Sequence, residues 1–101
     1  MKTAAHIDNI NDHSLESAAE SLKVLGHPDR LRIIGFLNKE GEAPVHSIED
    51  YLGLSQPHTS THLSCLRRVG LLNAERRGKE VWYSISDERS LGVLRCMAQK
   101  N

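Results

Sequence analysis

Two helical repeats of apolar residues stand only two residues apart in this chain, and that spacing limits its fold more than any other feature. Val45, Ile48, Tyr51 and Leu52 fall on one face of a short helix that begins near Pro44 and stops before Gly53. Ser55 then caps a second helix, Pro57 fits its first turn, and Thr59, Leu63 and Leu66 form an inward stripe running to Gly70. A short helix, a tight glycine-containing turn and a second helix make a helix-turn-helix.

Two more helices precede this pair. Residues 1–13 are expected to form a flexible arm, and residues 14–101 one domain. From Ser14, a fitting N-cap, Leu15, Ala18, Ala19, Leu22 and Leu25 recur at helical spacing as far as Gly26. His27-Pro28-Asp29 opens the next helix, with proline where a first-turn amide is unpaired in any case, and Leu31, Ile33, Ile34 and Leu37 point inward until Gly41. After Gly70 the period changes to alternation. Leu72 and Ala74, then Val81, Tyr83 and Ile85, flank a basic Arg77-Gly78-Lys79 tip, the pattern of a two-stranded hairpin. A last helix from about Asp87 places Leu91, Leu94 and Ala98 on one face, beside Val93 and Met97. The expected fold is mainly α with a small β-hairpin: four helices, two strands and a fifth helix, in the order of a winged helix-turn-helix.

With 101 residues, 39% of them hydrophobic and 26% charged, the chain has the composition of one globular domain with one small core. No apolar run approaches the ~18 residues of a membrane span, and Met1–Asn11 has no apolar block of a secretory signal. A cytoplasmic protein that does not enter membranes is expected. Cys65 and Cys96 have no CxxC spacing, so neither a disulfide scaffold nor a zinc knuckle is indicated. The sequence offers no nucleophile beside an obvious base, no phosphate loop and too small a core for a deep pocket, so an enzyme is not expected, nor a cofactor.

Thirteen basic and thirteen acidic residues cancel, which argues against a protein that coats nucleic acid without specificity. Their distribution is uneven, however. Arg67 to Lys79 holds five basic residues against one acid, whereas Asp8 to Glu20 holds four acids and no Lys or Arg. Ser55, Gln56, His58, Thr59, Ser60 and Thr61, at the start of the fourth helix, are the candidate contacts to base edges and phosphates in a major groove. Arg67 and Arg68, with Arg76, Arg77 and Lys79 in the hairpin, are the candidate sequence-independent phosphate contacts. Double-stranded DNA is therefore the expected partner.

Three separated stretches, in order, resemble the ArsR/SmtB family of repressors. They are Leu25-Gly26-His27-Pro28-Asp29-Arg30-Leu31-Arg32-Ile33-Ile34, then Leu54-Ser55-Gln56-Pro57-His58-Thr59-Ser60-Thr61-His62-Leu63-Ser64-Cys65-Leu66-Arg67, and finally Val69-Gly70-Leu71-Leu72 with Arg77 to Ile85. The likeness covers residues 15 to about 98. It implies a homodimer joined through its first and last helices, a palindromic operator with half-sites about 10 bp apart or a multiple, and an effector that releases the repressor.

The metal sites of such relatives do not carry over. Arsenic sensors place Cys-Val-Cys at the start of the third helix, where this chain has Pro44-Val45-His46. Zinc sensors use Asp-x-His and a further His in the last helix; Asp87 is present, but Arg89 and Lys100 stand in the histidine positions. A cadmium and lead branch uses Cys-x3-Cys late in the recognition helix, where Cys65 is followed by Val69. His58, His62 and Cys65 share one helical face, yet His58 stands where a DNA contact is expected. No metal site is expected, and the effector is unnamed. Cys65 and Cys96 are the candidate sensing residues of an alternative, a metal- or redox-responsive repressor. A second alternative is a winged-helix module that pairs with a protein and does not bind DNA. His6, His13, His27 and His46 are expected to be surface or capping groups, and Trp82 to pack within the wing.

Overall fold

The computed structural model describes residues 11–99. Helix α1 spans Asp12–Leu25, two residues ahead of the Ser14 start, because the Asn11 side chain accepts the Ser14 N–H at 2.7 Å and so takes the cap position. Asn11 to His13, expected in the arm, thus form the cap and first turn of α1; residues 1–10 lie outside the described residues. Helix α2 spans Pro28–Glu40, with His27 as its cap and its Nδ1 accepting the Asp29 N–H at 3.1 Å.

Three residues, Glu42–Pro44, form strand β1 before helix α3, Val45–Leu52. Gly53 closes α3 at a φ of 70°, a backbone angle that glycine adopts without a steric penalty, and helix α4, Gln56–Arg68, follows on its Ser55 cap. The end of α4 is a Schellman turn. Leu71 N–H donates to the Leu66 carbonyl at 3.0 Å and Gly70 N–H to that of Arg67 at 2.9 Å, which stops the helix before Gly70 itself.

Strands β2, Leu72–Arg77, and β3, Glu80–Ile85, pair antiparallel around Gly78-Lys79, and helix α5, Arg89–Ala98, completes the described chain. The expected two-stranded hairpin is in fact part of a three-stranded sheet in the order β1-β3-β2. Ala43 pairs with Tyr83 and Pro44 with Trp82. Pro44 is tolerated because β1 is an edge strand. A three-residue strand ending in proline leaves no readable alternation, so only the pairing reveals it.

The core is built around α2. Ile33, Ile34 and Leu37 are buried against Ile48 of α3, Leu63 and Leu66 of α4, Leu71 and Leu72 at the root of the wing, and Leu91 of α5. Helix α1 is the exception: only Val24 and Leu25 at its end are buried, while Leu15 is 46% and Leu22 53% exposed. None of the helices among the described residues is long and apolar enough to cross a membrane.

Candidate nucleic-acid interface

The packing of α4 divides its residues into two faces. Thr59, Leu63 and Leu66 are buried, and the opposite ridge, Pro57, Thr61, Ser64 and Arg68, is exposed at spacings of three and four residues. Gln56, His58 and Arg67 are exposed on its flanks, and Ser60 is half-buried. Helix α4 carries no acidic residue in its first turn and has both Arg67 and Arg68 in its last. Its amino end is held by Ser55, whose Oγ lies 3.4 Å from the His58 N–H and 3.1 Å from His58 Nδ1. The Thr61 hydroxyl donates to the Pro57 carbonyl at 3.0 Å, so its lone pairs remain to accept a hydrogen bond.

Thr59 faces the core rather than solvent. Named among the DNA contacts, it is fully buried, because it occupies the inward stripe shared with Leu63 and Leu66. Its Oγ1 makes no hydrogen bond to any described protein group. A buried hydroxyl without a partner is destabilising. Thr59→Val is therefore expected to raise stability by about 1 kcal/mol and to leave DNA affinity unchanged, measured by thermal unfolding and by anisotropy. A large loss of affinity in a folded variant would return Thr59 to the interface. Ser64, by contrast, lies outside the polar run Ser55 to Thr61, and extending the helical period from Thr61 places it on the exposed ridge.

The wing is fastened to the body by charged side chains. Arg77 donates to both oxygens of Glu42 at 3.2 and 2.7 Å and to Glu75 at 3.2 and 2.8 Å, and its guanidinium lies 4.7 Å over the Trp82 ring. These bonds from Arg77 hold the Glu42 carboxyl below its usual range, and the two carboxylates raise Arg77 in turn. Arg77 is thus not a spare cation but a strut joining all three strands. Glu80 accepts from Trp82 Nε1 at 3.2 Å and contacts His46 Nε2 of α3 at 2.9 Å. Arg76 donates its Nε to the Gly78 carbonyl at 3.1 Å, and Lys79 at the tip is exposed with no ion pair among the described residues. Nothing local in the sequence marks Glu42, Glu80 and His46 as wing supports, because the Arg77–Glu42 and His46–Glu80 contacts span more than thirty residues.

Root and helix are also tied together. Ser86 donates its hydroxyl to the Gly70 carbonyl at 2.6 Å and its N–H to the Leu71 carbonyl at 3.0 Å, which fixes where the wing leaves the end of α4. Arg67, Arg68, Arg76 and Lys79 are all exposed.

The other candidates fall elsewhere. Cys65 is half-buried against the core on α4, and Cys96 is exposed on α5. Asp87, the one zinc-position residue present, is bound by Arg89 through its side chain and its N–H, which lowers its pKa and occupies its oxygens. His62, half-buried on α4, accepts from Arg30 Nε at 3.0 Å; burial lowers its pKa, and His27 and Arg30 nearby lower it further. His27 is a cap, His13 and His46 lie at the surface, and His6 lies outside the described residues. Trp82 packs within the wing under Arg77.

Comparison with known proteins gives this geometry a context. Residues 27–74, from the cap of α2 to the start of β2, match the pattern of the bacterial regulatory protein, arsR family. The transcriptional repressor PagR of Bacillus anthracis is 38% identical over 84 residues, covering 83% of this chain and 84% of PagR. Its crystal structure superposes with a TM-score of 0.77 at 36% identity, over 86% of this chain and 99% of the other. The HTH-type transcriptional regulator YgaV of Escherichia coli is 36% identical over 80% of this chain and 82% of its own. The homodimeric winged helix-turn-helix DNA-binding domain Mb0332 of Mycobacterium bovis, solved in solution, superposes with a TM-score of 0.73 at 28% identity, over 83% of this chain and 77% of that domain.

Proposed function

As a member of the bacterial arsR family of regulatory proteins this chain is a DNA-binding transcriptional regulator, not an enzyme, and we propose that it is a repressor acting in the cytoplasm as a homodimer on a palindromic operator. The observation that carries the DNA interface is the acid-free exposed ridge of α4, fixed by Ser86 beside a wing whose tip offers Arg76 and Lys79. Gln56, His58, Ser60, Thr61 and Ser64 read base edges or accept from them, with Ser55 setting the helix end. Arg67, Arg68, Arg76 and Lys79 neutralise phosphates, while Arg77 holds the wing in shape. Positioning and readout fall to different side chains.

Exposed apolar groups on helices α1 and α5 support the homodimer reading. Leu15 and Leu22 lie seven residues apart on one face of α1, and Met97 of α5 is 69% exposed. A groove of about 360 Å³ between the helices is lined by Ser17, Ala18, Leu22, Leu25 and Val93 among others. A second copy covering this face would remove the apolar surface from water. Residues 14–101, together with the start of α1 at Asn11 to His13, then act as one unit for both DNA binding and dimerisation.

Anisotropy with the chain's own upstream DNA, against random duplex at moderate salt, tests the reading. Replacing Arg68, Arg76 and Lys79 together by Ala is expected to weaken all sequences alike and to flatten the slope of log K against log salt by about 2 to 3. No preference for any duplex, with an unchanged salt slope in the variant, would overturn it.

A further inference from the structure

Away from the exposed ridge of α4, the amino end of α2 and the middle of α4 bring three metal-ligating residues together. His27, Asp29 and His62 are all half-buried, and one ligating atom of each lies within 4.8 Å of the other two. The imidazole rings of His27 and His62 are 4.5 Å apart between centroids and inclined at 56°. None of these residues occupies the relatives' ligand positions considered above. We infer that His27, Asp29 and His62 form a site for one divalent transition-metal ion of the zinc class, and that the ion and the Arg30–His62 hydrogen bond exclude one another.

Two imidazoles and a carboxylate are a donor set that zinc accepts, with a fourth place left for water. Bonds of about 2.0–2.2 Å in a tetrahedron put ligand atoms roughly 3.4 Å apart. The three side chains therefore need to close by little more than 1 Å, roughly, which small side-chain rotations supply. Asp29 spends Oδ1 on Arg32 at 2.6 Å and keeps Oδ2 for an ion. Its charge offsets the repulsion from Arg30 and Arg32.

The exclusion holds whichever ring nitrogen binds. In the structure His62 Nδ1 accepts from Arg30 Nε at 3.0 Å, and His27 Nδ1 accepts the Asp29 N–H at 3.1 Å. An ion on Nδ1 takes the lone pair that these donors use. An ion on Nε2 requires the ring proton to move to Nδ1, where it would face the same donors; the ring stays neutral and no proton is lost. Either way Arg30 is released from His62 and, among the described residues, its side chain keeps its bond to the Val24 carbonyl at 3.2 Å. Ion binding thus exchanges a hydrogen bond between α2 and α4 for a coordination link between the same helices. That this reaches DNA rests on the proposed role of α4; the site itself does not.

The test is made on the full chain without DNA. Zinc is titrated in competition with a chromophoric chelator, and the imidazole nitrogens are followed by NMR on 15N-labelled protein. One ion per chain is expected, with the His27 and His62 nitrogens shifting together. His27→Gln and Asp29→Asn should each weaken binding at least tenfold, Arg30→Gln should tighten it, and His13→Gln should leave it unchanged. Circular dichroism checks that each variant is folded. Absence of binding, or binding that leaves the His27 and His62 resonances of the unmodified protein in place, overturns the proposal.

Discussion

Leu22→Glu is expected to yield a folded monomer whose operator affinity is lower by about 10²- to 10⁴-fold, the range over which joining two binding modules raises avidity. Leu22 is 53% exposed in the single chain and sits on the open face of α1, so its loss leaves no cavity in the core around α2. In the proposed dimer the same position would be covered, and a glutamate there would carry an unpaired charge out of water. Sedimentation equilibrium and anisotropy on a palindromic duplex read the two effects separately. Each half-site would still be met by one α4 and one wing, so weak, salt-sensitive binding persists. A variant that stays dimeric with full affinity would place the interface away from α1.

The second large effect is on stability. Leu63→Ala is expected to cost about 2–5 kcal/mol, against a total of about 5–15 kcal/mol for a domain of ordinary stability. Leu63 is fully buried on α4, within the same cluster as Ile33, Ile34, Leu37 and Ile48, so truncation leaves a hole bounded by several elements. The melting temperature should fall by roughly 10 °C or more, measured at fixed protomer concentration because a dimer's stability depends on it. Below the melting transition DNA specificity should persist, since the exposed ridge through Thr61, Ser64 and Arg68 is untouched. A specific loss of readout in a folded Leu63→Ala protein would show that the buried stripe tunes the ridge.

Much of this architecture is local and could be read without coordinates. Caps and stops such as Ser55, Gly53 and Gly70 act on their own neighbours within a few residues, and the apolar periods of α2 and α4 report which face turns inward. Thr59 shows how such a reading can conflict with itself. Its place in the sequence suggests the polar run that meets DNA, whereas its place in the period sets it beside Leu63, and in the folded chain the period prevails. The Asn11 cap was masked for a related reason: Ser14 is also a good cap, and only the Ser14 N–H bonding to Asn11 distinguishes them.

Local signals in the chain set the order of helices, the helix-turn-helix and the wing, together with the family and the basic character of the DNA face. Tertiary structure alone decided which of those polar groups are free. Arg77 meets Glu42 across 35 positions, His46 meets Glu80 across 34 and Arg30 meets His62 across 32, so the bonds that set the wing and tie α2 to α4 have no local signature. The physical reason is that capping and periodicity depend on backbone geometry over one or two turns. A cation's partner depends instead on which distant strand or helix the packed core brings within 3 or 4 Å, roughly the reach of a hydrogen bond or ion pair.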